Sequence, residues 1–261
     1  MQIWILTFNR PASLNRLISK IGKQGAVCNV LSNSPDVLIE SENLKFVEQV
    51  VVNPFNTSKS TSFCARSWNH IYLKAFQKDE ELAAFQDDTD ITPHFIDWIN
   101  NNKQKYHFIW GPAGDQFHFI NKIVLQKIGW WDERYNGCFC ADADYLKRVI
   151  HEYDQNKISV EEYHGWGFHH NKCDITNAII PCDFGRSNEI VDNNYLNQYY
   201  AYTNIDRNNR VINSASKHFL DKWDEELTPT SQIRNSYRRK LKEVDWYPWA
   251  SFQFEIGTYG E

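Results

Sequence analysis

The chain has 261 residues, 42% of them hydrophobic and 15% aromatic, with a formal net charge of -5. That much apolar surface excludes general disorder, and the acidic balance excludes a molecule that holds nucleic acid through its overall charge. No window approaches roughly eighteen uninterrupted apolar residues, and Met1-Gln2-Ile3-Trp4 opens directly on a strand-like run, which predicts a soluble, cytoplasmic protein.

Ile3 to Phe8 is an apolar run ending in Asn9-Arg10-Pro11, and Leu14, Leu17, Ile18 and Ile21 then recur at helical spacing. A second strand is expected over Val27 to Leu31, closing on the turn-rich Ser32-Asn33-Ser34-Pro35-Asp36. A third runs over Phe46 to Val52 and closes on Asn53-Pro54. Residues 57–62 form a polar loop, Ala65 to Phe76 reads as a helix, and Leu82 to Phe85 as the end of a buried strand. Strands alternating with helices predict a mostly parallel sheet whose ligand site lies off the carboxyl ends of its strands. Those ends present Thr7 to Arg10, Ser32 to Ser34, Asn53 and Asp87 to Asp90 toward one crevice.

The stretch Ala83-Ala84-Phe85-Gln86-Asp87-Asp88-Thr89-Asp90-Ile91-Thr92-Pro93 puts three carboxylates within four positions after an apolar run. Like charges that close repel unless a cation neutralises them, and hard oxygen ligands suit magnesium or manganese with a phosphate completing the shell. A plainer reading is a solvated turn before a helix, with Thr92 as N-cap, Pro93 at the first helical position, and Phe95, Ile96 and Ile99 packing behind.

Ten Trp, thirteen Tyr and sixteen Phe exceed what a minimal core needs, so some are expected to line a pocket or interface for flat ligands such as sugars or bases. The six cysteines, Cys28, Cys64, Cys138, Cys140, Cys173 and Cys182, are scattered, which predicts reduced, buried thiols. Cys138 and Cys140 with His164, His169, His170 and Cys173 match none of the usual zinc spacings.

Three segments carry a resemblance. Thr7-Phe8-Asn9-Arg10 resembles the Thr-Phe/Tyr-Asn-Arg opening of family 2 glycosyltransferases with the GT-A fold, and Gln86-Asp87-Asp88-Thr89 followed by Pro93 resembles their metal-binding DxD-type motif. Gly129-Trp130-Trp131-Asp132-Glu133-Arg134-Tyr135, followed by Ala141-Asp142-Ala143-Asp144-Tyr145-Leu146-Lys147-Arg148, is similar to their Gly-x-Phe/Trp-Asp-Glu-Arg-Phe/Tyr and Glu-Asp-x-Asp-Leu-x-x-Arg segments. The likeness covers about the first 170 residues. It implies a GT-A, Rossmann-like mixed sheet, mostly parallel and flanked by helices. Residues 1–180 would form the catalytic domain, with a nucleotide-sugar half over 1–92 and an acceptor half over 93–180. Residues 181–261 would form a helical, aromatic extension with an acceptor-binding role.

The resemblance also implies an inverting, metal-dependent transfer of a hexosyl or pentosyl unit from a nucleotide diphosphate sugar. Such a reaction needs Mn2+ or Mg2+ on the leaving diphosphate and a general base on the acceptor hydroxyl. By this reading Asp88 and Asp90 hold the metal, with His169 as a third ligand. His164 and His170 are the other candidates for that place. Thr7, Asn9, Arg10, Ser32 and Asp87 line the nucleotide pocket, and Asp142 is the catalytic base. Ala141 stands where the family has a glutamate, and Asp144 is the alternative base. Either aspartate could instead cap the helix predicted by Leu146, Val149, Ile150 and Tyr153. The segment Gly111 to His118 is expected to border the acceptor or to form an ordinary turn.

The acceptor is expected to be a glycan or glycan precursor. The run Arg234, Arg238, Arg239, Lys240 and Lys242, followed by Trp246-Tyr247-Pro248-Trp249, suits a solvated helix face, or alternatively duplex DNA with hydroxymethylated bases as some bacteriophage enzymes use. Asn, Lys and Ile usage suits an AT-rich genome, viral or bacterial. A reading of another class is a non-catalytic sugar- or nucleic-acid-binding module on a degenerate transferase fold.

Overall fold

In the computed structural model the strands are Gln2–Thr7 (β1), Cys28–Ser32 (β2), Val47–Val52 (β3), Leu82–Gln86 (β4), Phe108–Trp110 (β5), Phe117–Ile120 (β6) and Val160–Glu162 (β7). The helices are Pro11–Lys23 (α1), Phe63–Gln77 (α2), Phe95–Asn102 (α3) and Lys122–Ile128 (α4). The structure describes residues 1–8, 10–53, 63–87, 89, 91–104, 106–110, 117–133 and 160–162, together with the helical positions 141, 142, 144, 145, 148 and 149.

These strands form a single sheet in the order β3-β2-β1-β4-β6-β5-β7. The first four run parallel, with Trp4 beside both Asn29 and Ala84, whereas β6 is antiparallel to β4 and β5. Every residue of β1 and β2 is buried, as parallel strands covered on both faces require. Alternate side chains point to opposite faces. Ile3, Ile5, Val30, Phe85, Phe117 and Phe119 meet α1 and α3, whose buried stripes are Leu14, Leu17, Ile18 and Ile21, and Phe95, Ile96 and Ile99. The other face is covered by α2, whose Trp68 and Tyr72 rings close on His118 of β6 at 4.8 and 5.5 Å. This is the mixed, mostly parallel sheet flanked by helices that was expected.

Two local expectations are corrected. Helix α3 begins at Phe95, not at Pro93, and its N-cap His94 makes no side-chain cap. Gln24, at the end of α1, supplies the missing bonds: its Nε2 donates to the Thr92 carbonyl at 2.8 Å and its Oε1 accepts from the Ile96 amide at 2.9 Å. A long amide on a neighbouring helix thus replaces the local threonine cap. Of the segment 111–118, expected to border the acceptor or to form an ordinary turn, Phe117 and His118 are instead buried strand residues of β6, while 111–116 lie outside the described residues. Among the described aromatics, Trp4, Trp68, Trp131, Tyr72, Tyr145, Phe85, Phe95, Phe108 and Phe117 are fully buried; more than half of the chain's aromatic side chains lie outside the described residues.

Cys28 is a buried free thiol, and burial pushes its pKa up to about 12, as a core cysteine should behave. The side chains of the other five cysteines, the loop 57–62, the histidines of 163–170 and the extension 181–261 lie outside the described residues. Among the described residues no helix is long and apolar enough to cross a membrane.

Two stability predictions follow from this packing. A Cβ on Gly22 of α1 would collide with the Phe46 ring. Gly22→Ala should therefore destabilise the protein by about 1–3 kcal/mol in urea unfolding, although alanine is the better helix former. His118 is fully enclosed, and burial lowers its pKa from 6.5 to about 3. The folded state then binds fewer protons than the unfolded chain, so its share of stability is complete above pH 6.5 and lost as pH falls toward 3. Unfolding free energies from urea titrations at pH 7 and 4.5 should differ by about 2 kcal/mol less in His118→Phe than in the wild type.

Candidate functional site at the carboxyl ends of the parallel strands

Strand β1 leads through α1 to β2 on one side, and β3 leads through α2 to β4 on the other. The topological switch therefore lies between β1 and β4, and a crevice at their carboxyl ends is where such sheets take ligands. The register that sets Leu6 beside Gln86 brings Thr7 next to Asp87. Thr7 Oγ1 donates to Asp87 Oδ2 at 2.6 Å, and the Phe8 amide donates to the same oxygen at 3.3 Å. Arg10 Nη1 lies 3.7 Å from the other oxygen, Oδ1. Thr7 and Asp87 are buried, while the Arg10 side chain retains 21% of its exposure.

The next strand ends are tied to this pair. The Asn33 amide donates to the Thr7 carbonyl at 2.9 Å, and the Asn53 amide to the Ser32 carbonyl at 2.8 Å. Ser32 Oγ donates to the Ser34 carbonyl at 2.7 Å and accepts from the Ser34 amide at 3.0 Å, so its hydroxyl closes its own turn. Asn33 Oδ1 accepts from Asn53 Nδ2 and from Ser67 Oγ of α2, both at 2.8 Å. Sequence reasoning placed Asn53 at this end of the sheet but missed Ser67. A serine inside an amphipathic helix carries no local signal of such a tie.

Of the predicted nucleotide residues, Thr7, Arg10 and Asp87 come together and Ser32 lies on the adjacent strand end. Asn9, Asp88, Asp90 and His169 lie outside the described residues. Asp142 is helical and half-buried. The alternative base, Asp144, is fully buried in an ion pair with Arg148 at 3.0 Å, and Arg148 Nη1 donates to the Ile128 carbonyl at 2.8 Å. That carboxylate holds the helix to the end of α4. Of the two aspartates, Asp142 is the more exposed.

No protein-family model matches the chain, and no curated protein matches it by sequence. Solved structures do. Glucosyl-3-phosphoglycerate synthase from Mycobacterium tuberculosis, in complex with Mn2+, UDP and glucosyl-3-phosphoglycerate, superposes with a TM-score of 0.41 at 8% identity, covering 78% of this chain and 80% of that one. The same synthase with Mn2+, UDP and phosphoglyceric acid gives a TM-score of 0.44 at 8% identity, covering 78% of each chain. A structure described as a mycobacterial protein gives 0.43 at 9% identity, covering 78% of this chain and 75% of that one. At this level the likeness assigns no residue role.

The Thr7 hydroxyl is a short, buried donor to a carboxylate, so its loss leaves charge under-solvated. Thr7→Val should lower unfolding free energy by about 1–3 kcal/mol in urea titrations, while Thr7→Ser, which keeps the donor, should lose less.

Proposed function

We propose that the chain is a nucleotide-sugar-dependent glycosyltransferase that works with inversion and takes a glycan or glycan precursor as acceptor. The observation that carries this reading is the Thr7 to Asp87 hydrogen bond of 2.6 Å. It joins two of the three motif segments, 80 positions apart, at the point of the sheet where ligands are taken. Residues 1–92 form the donor half, 93–180 the acceptor half, and 181–261 an acceptor-binding extension.

In this reading Arg10 offsets diphosphate charge at the mouth of the crevice. Thr7, Asn9, Ser32 and Asp87 shape the nucleotide pocket. Among the described residues no group of three or more metal-ligating side chains is assembled. The donor chemistry of the acidic stretch nevertheless fits a hard divalent cation, because Asp88 and Asp90 adjoin an Asp87 whose orientation the protein already fixes. Asp88 and Asp90, with His169, would hold Mn2+ or Mg2+, which when bound neutralises the leaving diphosphate. Asp142 accepts the proton of the acceptor hydroxyl as that oxygen attacks the anomeric carbon from the face opposite the diphosphate.

Release of nucleoside diphosphate is measured from a panel of nucleotide sugars with manganese or magnesium, against glycan acceptors and hydroxymethylated duplex DNA in parallel. Glycan-dependent release is the expected result. DNA-dependent release would move the acceptor assignment to DNA, and binding without release would leave a non-catalytic module. Asp142→Asn should bind donor normally and lose transfer by about 100-fold or more. Asp88→Ala should lose cation-dependent donor binding, seen as loss of manganese-stimulated nucleotide affinity in calorimetry.

A further inference from the structure

Helix α2 grips both ends of the proposed site with side chains two residues apart. Ser67 and Asn69 are separated by about 200° around the helix, so they face nearly opposite ways. Ser67 holds the strand-end loops through Asn33 and Asn53, at 2.8 and 3.1 Å. Asn69, fully buried, does something different: its Oδ1 accepts from the Trp131 amide at 2.7 Å and its Nδ2 donates to the Trp131 carbonyl at 3.0 Å. One carboxamide thus pairs with both backbone groups of a single residue outside any helix or strand, as a neighbouring strand would.

The grip is reinforced. Asn69 Nδ2 also donates to Glu133 Oε1 at 2.8 Å, and Arg66 Nε, one turn earlier on the same face of α2, donates to Glu133 Oε2 at 3.2 Å. Trp131 in turn stacks on Tyr145 with centroids 4.6 Å apart and planes within 11°. Tyr145 OH donates to the Gly129 carbonyl at 3.2 Å, and Tyr145 sits three positions after Asp142 on the same helical stretch. The path from α2 to Tyr145 is therefore buried, made of hydrogen bonds as far as Trp131 and of a ring stack from Trp131 to Tyr145.

We propose that Asn69 is a positioning residue: its clamp on Trp131, backed by Glu133 and Arg66, sets the helix of Asp142 relative to the nucleotide crevice that Ser67 holds from the other side of α2. This rests on the glycosyltransferase reading and adds to it a division of labour within one helix. Asn69 governs the reacting geometry, and Ser67 governs donor affinity.

The test compares Asn69→Ala, Arg66→Gln and Ser67→Ala, using calorimetric titration with UDP and with GDP in the presence of manganese and turnover with the donor and acceptor that serve the wild type. Asn69→Ala should lower kcat about 100-fold, the scale of a small misplacement at a reacting centre, with nucleotide affinity and KM within about twofold of wild type. Arg66→Gln, which removes only the outer support and leaves a foldable surface, should shift kcat in the same sense by a smaller factor. Ser67→Ala should weaken nucleotide binding and raise KM with kcat nearly retained. Hydrogen exchange should show the Trp131 amide deprotected in Asn69→Ala and protected in Ser67→Ala. Equal changes in KM and kcat for the Asn69 and Arg66 variants would reduce the clamp to general stability and overturn the proposal, as would an unchanged kcat with a deprotected Trp131 amide. If Asn69→Ala does not fold, Glu133→Gln and Arg66→Gln decide by the same split. Unmutated protein that binds neither nucleotide and releases none would overturn the glycosyltransferase reading itself, a result visible before any variant is made.

Discussion

A carboxylate buried between two parallel strands is the constraint on which the donor end of this molecule depends. Asp87 is almost withdrawn from water, and a charge so placed is tolerable only if donors replace the lost hydration. The Thr7 hydroxyl at the end of β1 does so, together with the Phe8 amide and the Arg10 guanidinium of the segment that follows. They reach Asp87 only if β4 lies directly beside β1 in the observed register, since a slip of one position would turn Asp87 to the opposite face. Beyond Asp87 the Thr89 amide closes a turn on the Gln86 carbonyl, and Gln24 bridges Thr92 and Ile96.

The two faces of the sheet are built by different means. Beneath α1 and α3 the core is mainly aliphatic and phenylalanine, with no need of directional bonds. Beneath α2 it is made of large rings with polar edges: Trp68, Tyr72, His118, Trp131 and Tyr145 lie within ring-contact distance of one another. Such rings have preferred relative geometries and few rotamers, so they define position more sharply than aliphatic packing does. That face is the one that joins α2 to the helical stretch bearing Asp142. Among the described residues, these aromatic rings act by fixing position within the core.

How legible all this was in the sequence depends on how local each cause is. The order β1, α1, β2, β3, α2, β4 was readable because each element has its own period, apolar runs for covered parallel strands and a stripe of Leu14, Leu17, Ile18 and Ile21 for α1. Strands β5 and β6 were not: at three and four residues they are too short to show alternation, and antiparallel pairing with β4 is a tertiary choice. The start of α3 was misread for a related reason, since Thr92 and Pro93 look like a local cap while the actual cap is 72 positions away on Gln24. Thr7, Arg10 and Asp87 were found through motifs that sit at strand ends. Asn69 was invisible because an asparagine within a helix looks like an indifferent residue until its partner backbone is known.

These non-local ties share a chemical form, a neutral amide or hydroxyl on one element bonded to the backbone or to a side-chain amide of another. Gln24 serves Thr92 and Ile96, Asn15 serves Leu38 and Glu40, Asn69 serves Trp131, and Ser67 with Asn53 and Asn33 binds two strand ends to α2. Each joins an irregular segment to a rigid helix or strand end, so the segment inherits the precision of the element that holds it. An amide is well suited to this because it donates and accepts at once and carries no charge to desolvate. The ties made by Gln24, Asn15 and the Asn33, Asn53 and Ser67 cluster are therefore neutral and insensitive to pH. Charged contacts are kept to a few places: Arg10 with Asp87 at the strand ends, Arg66 with Glu133 beside the Asn69 clamp, and Arg148 with Asp144.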